Sequence, residues 1–231
     1  MKELKIIRDS REPGSYLYSF DESVAFLRAV GRGEQPSTLR LHRPASNVAF
    51  GRRDELNPSF ETARKISEER GFTAAVRPVG GHAAAYHSDC LIIDHFQADD
   101  DAVTGNLTRF TTFGQMLTSA LQSLGVDAAI GEIPGEYCPG EHSVHITLTD
   151  GTRTKIIGTA QRVVSGAWWF STGIVVNNSE PLRTVTTDVY TALNLPLNPT
   201  TVGALTDANP LITVDDVDDA ILEGYEKLGY C

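Results

Sequence analysis

A chain of 231 residues, 41% hydrophobic and 22% charged, has apolar material for one domain, and at that length roughly 70% of the unfolded surface is buried without disulfide or metal staples. The net charge is −10 with no basic run, so a phosphate backbone is repelled and nucleic acid is not an expected partner. Nothing approaches 18 consecutive apolar residues and the first residues lead into charged sequence, so the expectation is a cytoplasmic protein with no membrane span and no apolar signal core.

In chain order, apolar spacing predicts a short helix over 21–29, ending near Gly31 and Gly33. Alternation predicts strands at 38–42 and 47–50. Pro58 suits an early helical position, and 60–70 is helical up to Gly71. Residues 74–77 and 91–94 predict strands on either side of a glycine-containing loop. The longest helix spans 106–124, where Leu107, Phe110, Phe113, Leu117, Leu121 and Leu124 recur at three- and four-residue steps. A hairpin covers 144–157, with Asp150-Gly151 at its turn. A strand follows at 172–176, then helices at 184–193 and 214–228, the last with acids in its first turn. Three consecutive aspartates, Asp99 to Asp101, predict a solvated turn rather than a metal site.

Three cysteines, Cys90, Cys138 and Cys231, are too few and scattered for a disulfide framework. Cys90 falls within a strand and Cys231 carries no assigned role. Cys138 sits in a loop bounded by Pro134, Gly135, Pro139 and Gly140. Lys155 stands among Thr154, Ile156 and Ile157, where an ammonium needs an anion or carbonyl. A lysine beside a cysteine can stabilise its thiolate, the nucleophilic form. The spacing of Cys138, His142 and His145 also admits a zinc site, but His142 and His145 are an odd step apart on a strand and face opposite sides; no metal is expected.

The other segment with chemical content is Arg77-Pro-Val-Gly80-Gly81-His82-Ala-Ala-Ala-Tyr86-His87. Paired glycines let the backbone approach a ligand, with N–H groups suited to an anion or carbonyl, and Arg77 adds a fixed positive charge. The alternative is a plain turn between strands. No dinucleotide fingerprint or Walker loop is present.

These two segments together resemble the superfamily of lipoate–protein ligases, octanoyltransferases and biotin–protein ligases. Arg77 through His87 is similar to its first motif. Lys155-Ile-Ile-Gly158-Thr159-Ala160-Gln-Arg162 is similar to its second, and 39–44 with 48–52 resembles the strand pair before the first. The likeness covers about residues 20–180. It implies an α+β fold, a mixed, largely antiparallel sheet packed by helices. The whole chain, 1–231, would form one catalytic domain with a helical tail over about 184–231. It implies Lys155 on the acyl carbonyl and a substrate pocket lined by Arg77, Gly80, Gly81, His82, His87, Gly158, Thr159 and Ala160. The chain departs from the family pattern in having His82 where relatives have Gly or Arg, and Ser171-Thr172-Gly173 where a His-Gly is common.

Three activities are compatible with the resemblance. A transferase would form an acyl-enzyme on Cys138 without a cofactor, taking octanoate from acyl carrier protein and passing it to a lysine of a lipoyl domain or a glycine-cleavage carrier protein. A ligase would activate free lipoate or octanoate with ATP and Mg²⁺ as an acyl-AMP. A non-catalytic paralogue would bind the acyl group or the carrier alone. The cysteine before the motif lysine favours the transferase, and a biotin ligase ranks below all three because its arginine- and glycine-rich adenylate loop is absent.

Overall fold

The computed structural model describes residues 2–9, 12–15 and 19–230; Cys231 lies outside them. Its strands are β1 (Lys5–Arg8), β2 (Thr38–His42), β3 (Asn47–Phe50), β4 (Thr73–Val76), β5 (Ala84–Tyr86), β6 (Cys90–Ala98), β7 (Ala128–Ile130), β8 (Val144–Thr147), β9 (Arg153–Val164) and β10 (Ala167–Val175). Its helices are α1 (Phe20–Gly31), α2 (Arg52–Glu55), α3 (Phe60–Glu69), α4 (Asn106–Ser123), α5 (Ser179–Ala192) and α6 (Val214–Lys227).

Among the described residues the strands form two sheets, ordered β1-β2-β6-β10-β9-β8-β7 and β4-β3-β5. Pairing is antiparallel except for β1 with β2 and β3 with β4. This is the mixed, largely antiparallel α+β architecture expected. Helices cover the larger sheet because its central strands are apolar on both faces: β10 is buried at Ala167–Phe170 and again at Thr172–Val175. Leu27 and Val30 of α1 pack with Phe96 and Trp169. Phe113 and Leu117 of α4 pack with Val217, Ile221 and Tyr225 of α6, so the C-terminal helix is part of the main core. On the smaller sheet, Leu182, Val185 and Val189 of α5 pack with Val48, Phe50 and Ala63.

Local signals explain the element ends. The Ser19 hydroxyl accepts from the Glu22 N–H at the start of α1, and Thr213 and Asp216 form a capping box on α6. Two buried polar groups at the sheet centre are paired: Asp94 accepts from the Trp169 indole at 2.8 Å and from Arg40 at 3.0 Å.

Several elements differ from expectation. The strand expected at 172–176 is nine residues long, 167–175, and β9 extends to Val164. The missed part, Trp168–Phe170, is buried on both faces and so lacks the alternation of a half-exposed strand. β1, β5 and β7 are three or four residues long, too short to show a period. α2 is one polar turn, Arg52–Glu55.

Candidate active site

The loop between β7 and β8 carries Cys138 with a backbone φ of +43°, a left-handed conformation that costs a non-glycine residue about 1–2 kcal/mol. Specific contacts hold it there. The Cys138 N–H donates to the Tyr190 hydroxyl at 2.6 Å, and that hydroxyl donates to the Ala83 carbonyl at 3.0 Å. Burial keeps the Tyr190 phenol far above its usual pKa, so it stays a neutral donor and acceptor.

Beneath the loop, the Lys155 ammonium donates to the Cys138 carbonyl at 2.7 Å, the Tyr137 carbonyl at 3.0 Å and Glu136 Oε1 at 3.1 Å. All three of its protons are engaged. The Glu136 side chain is fully buried. It also accepts from the Ser143 hydroxyl at 2.5 Å, the Gly140 N–H at 3.1 Å and the Ile133 N–H at 3.2 Å. One carboxylate thus ties both ends of the loop to the lysine, the kind of fully satisfied buried network that fixes one geometry.

The sulfur points to the glycine loop. Cys138 Sγ accepts from Arg77 Nη2 and from the His82 backbone N–H, each at 3.3 Å. The cation at the sulfur is therefore Arg77; Lys155 meets the backbone of the cysteine instead. Arg77 is buried and its Nη2 also donates to the His82 carbonyl at 2.6 Å. Burial opposes its charge and the adjacent Cys138 sulfur favours it; the balance leaves the guanidinium more firmly charged than usual. Gly81 has φ +99°, and a Cβ there would fall inside the contact distance of Cys138 Sγ and 2.8 Å from Arg77 Nη2. Only glycine lets this loop lie against the sulfur.

These groups open onto a cavity of about 340 Å³ whose wall includes Arg77, Gly80, Gly81, Cys138, Lys155, Gly158, Thr159 and Ala160. Eight of the ten residues singled out from sequence thus meet around one space. His82 and His87 do not line it. The His82 ring pairs with the buried Asp54 of α2 at 2.6 Å, so this residue contributes a backbone N–H to the site rather than an imidazole. The His87 ring lies 2.9 Å from the Asn178 carbonyl and accepts from the Asp89 N–H at 3.1 Å, bracing the turn between β5 and β6. Cys138, His142 and His145 do not converge. His142 stacks on Phe110 at 4.7 Å, and His145 Nδ1 lies 3.0 Å from the Gly131 carbonyl. No cluster of three or more His, Cys, Asp or Glu residues suited to a metal ion occurs among the described residues. Cys90 is interior, and burial pushes its thiol up to about 12.

Sequence reasoning missed Glu136, Tyr190, Asp54 and Tyr86. Tyr190 lies 52 residues beyond Cys138, on α5, and Asp54 sits 28 before His82; no local pattern links such pairs. Glu136 could have been flagged as the carboxylate nearest Cys138 in a loop that already needed a partner for Lys155.

Comparison with known proteins bears on the family. An octanoyl-[GcvH]:protein N-octanoyltransferase of Geobacillus kaustophilus is 27% identical over 165 residues, covering 71% of this chain and 56% of its own length. The protein of that name from Oceanobacillus iheyensis is 26% identical over 231 residues, covering 94% of this chain and 80% of its own. The chain thus spans little more than half of the Geobacillus relative. A crystal structure of lipoate-protein ligase A bound with ATP has the same fold, with a TM-score of 0.69 and 21% identity over 99% of this chain and 86% of its own. No helix among the described residues is long and apolar enough to cross a membrane. The lipoyl protein ligase A/B catalytic domain matches residues 15–226, nearly the whole chain, which therefore belongs to that family.

Proposed function

We propose that this protein is an acyltransferase. Cys138 takes an octanoyl or lipoyl group as a thioester and passes it to a lysine amine on a lipoyl-domain or glycine-cleavage carrier protein. The observation that carries the proposal is the sulfur itself. It lines the cavity, is clear of disulfides, and accepts hydrogen bonds from a permanent cation and a backbone N–H. In the first step the thiol loses its proton and sulfur bonds to the acyl carbon. The donor's bond to that carbon breaks, and the donor's sulfur or nitrogen leaves with a proton. In the second step the acceptor nitrogen attacks, the carbon–sulfur bond breaks, an amide forms and a proton returns to Cys138. Charge building on the acyl oxygen develops near Arg77 and Lys155, fixed before substrate arrives. Lys155 reaches that oxygen only by releasing a loop carbonyl, so its first task is to brace the nucleophile loop.

The similar curated proteins are named for octanoyl-[GcvH] as donor and a protein as acceptor, which favours a carrier-bound octanoyl donor alongside acyl carrier protein. The ligase alternative fits these residues less well. Arg77 and Lys155, the Lys and Arg residues of the cavity wall, are engaged with Cys138, His82, Glu136 and loop carbonyls. A purified lipoyl domain, weighed intact after incubation with the protein, tests the proposal. Octanoyl-carrier protein without ATP is expected to add one octanoyl mass; gain only with free octanoate, ATP and Mg²⁺ would make it a ligase.

A further inference from the structure

The floor of the active-site cavity is bare backbone with one ring lying across it. Gly158 of β9 and Gly173 of β10 are cross-strand partners. Tyr86 covers both: a Cβ on Gly173 would stand 2.6 Å from the Tyr86 hydroxyl oxygen, and one on Gly158 would stand 3.9 Å away. On the other side of the ring is a second, small cavity of about 40 Å³, reaching Val79, Ile92 and Ala49. The two spaces share Arg77, Tyr86, Ser171 and Gly173 as their common wall. Gly173 and Ser171 add little bulk, and Arg77 is anchored on His82 and Cys138. The Tyr86 ring is therefore the partition. Burial pushes its phenol up to about 12, against the pull of Arg77, so the ring stays neutral and tolerates an apolar neighbour.

We propose that Tyr86 sets the length of acyl chain the site accepts, by closing the cavity that begins at Cys138 from the space behind it. The inference rests on the acyl-transfer proposal and deepens it. A chain that runs from Cys138 towards this wall stops against the ring, which closes the space behind it to further methylenes. Removing the ring joins the two cavities across the glycine pair and gives those methylenes room against Phe20, Val79 and Ile92, beside His42 and Asn47. Each buried methylene contributes about fourfold in binding, so two contribute roughly 15-fold.

The test measures acylation of the wild type, Y86A, Y86L and Y86F by hexanoyl, octanoyl, decanoyl and dodecanoyl N-acetylcysteamine thioesters, read by intact mass. The decanoyl-to-octanoyl rate ratio is expected to rise roughly 15-fold in Y86A, less in Y86L, and to stay at the wild-type value in Y86F, which keeps the ring. An unchanged ratio in Y86A and Y86L, with circular dichroism like the wild type, overturns the proposal. Should Y86A not fold, Y86L alone decides. If no thioester acylates any variant, the transferase proposal falls but the partition is still measured, by calorimetry of free octanoate and decanoate: the same relative gain for decanoate supports it, and equal ratios overturn it.

Discussion

Breaking the Glu136–Lys155 pair tests the brace beneath Cys138. The two side chains are 0% and 2% exposed, so removing either leaves a buried charge without its partner, a loss of about 3–5 kcal/mol. Glu136→Leu strands the Lys155 ammonium and deprives Ser143, Gly140 and Ile133 of their acceptor. Lys155→Met strands the Glu136 carboxylate and leaves the Tyr137 and Cys138 carbonyls without their donor. The double variant contains neither charge, so its loss should fall short of the summed single losses by about 3 kcal/mol, the penalty counted twice. It should not return to wild type, because the backbone groups of the loop remain unpaired at about 1–3 kcal/mol each. Urea unfolding gives the stabilities, and iodoacetamide alkylation of Cys138 in the folded variants reports whether the loop keeps the sulfur on Arg77. Additive losses, within about 0.5 kcal/mol, would refute the argument that the pair acts as one unit.

Gly81→Ala should fold but move the sulfur, because a left-handed alanine costs about 1–2 kcal/mol and its methyl occupies the space of Cys138 Sγ; acylation should fall at least tenfold, measured by intact mass. Arg77→Met removes the cation bonded to the sulfur and should slow alkylation of Cys138, whereas a residue that only packs would leave the rate near wild type. His95 is buried among Phe113, Trp168, Tyr225 and Tyr230, and burial pushes its pKa down to about 3. The unfolded chain takes up a proton near pH 6.5 that the folded one refuses, so stability falls as pH drops below 6.5, by about 1.4 kcal/mol at pH 5.5. His95→Phe should lessen the difference in thermal midpoint between pH 7.5 and pH 5.5, and an undiminished difference would show that other groups govern it.

Much of the site was legible because its chemistry is local in the chain. Arg77, Gly80 and Gly81 lie in one segment, and Lys155, Gly158, Thr159 and Ala160 in another. The fold brings both to one cavity. What stayed hidden was orientation. The sequence sets Cys138 in the loop before the Lys155 strand without showing that the two meet, that the lysine takes the cysteine's carbonyl or that Arg77 takes its sulfur. His87 and His82 carried residue-type promise, yet a backbone carbonyl and a buried carboxylate take their rings. The fold was legible where one face meets water, as in α4, and in β2 because residue type alternates there even though Thr38 and His42 are buried. It was not legible in Trp168–Phe170, where burial on both faces removes the alternation.

The most direct measurement is peptide-mapped intact mass of the protein after brief exposure to octanoyl-N-acetylcysteamine thioester, without ATP and without acceptor. The account predicts one octanoyl group, on Cys138, discharged when a lipoyl domain is added and absent from Cys138→Ala. An acceptor domain that becomes octanoylated from a carrier-bound donor by Cys138→Ala as fast as by the wild type would contradict it.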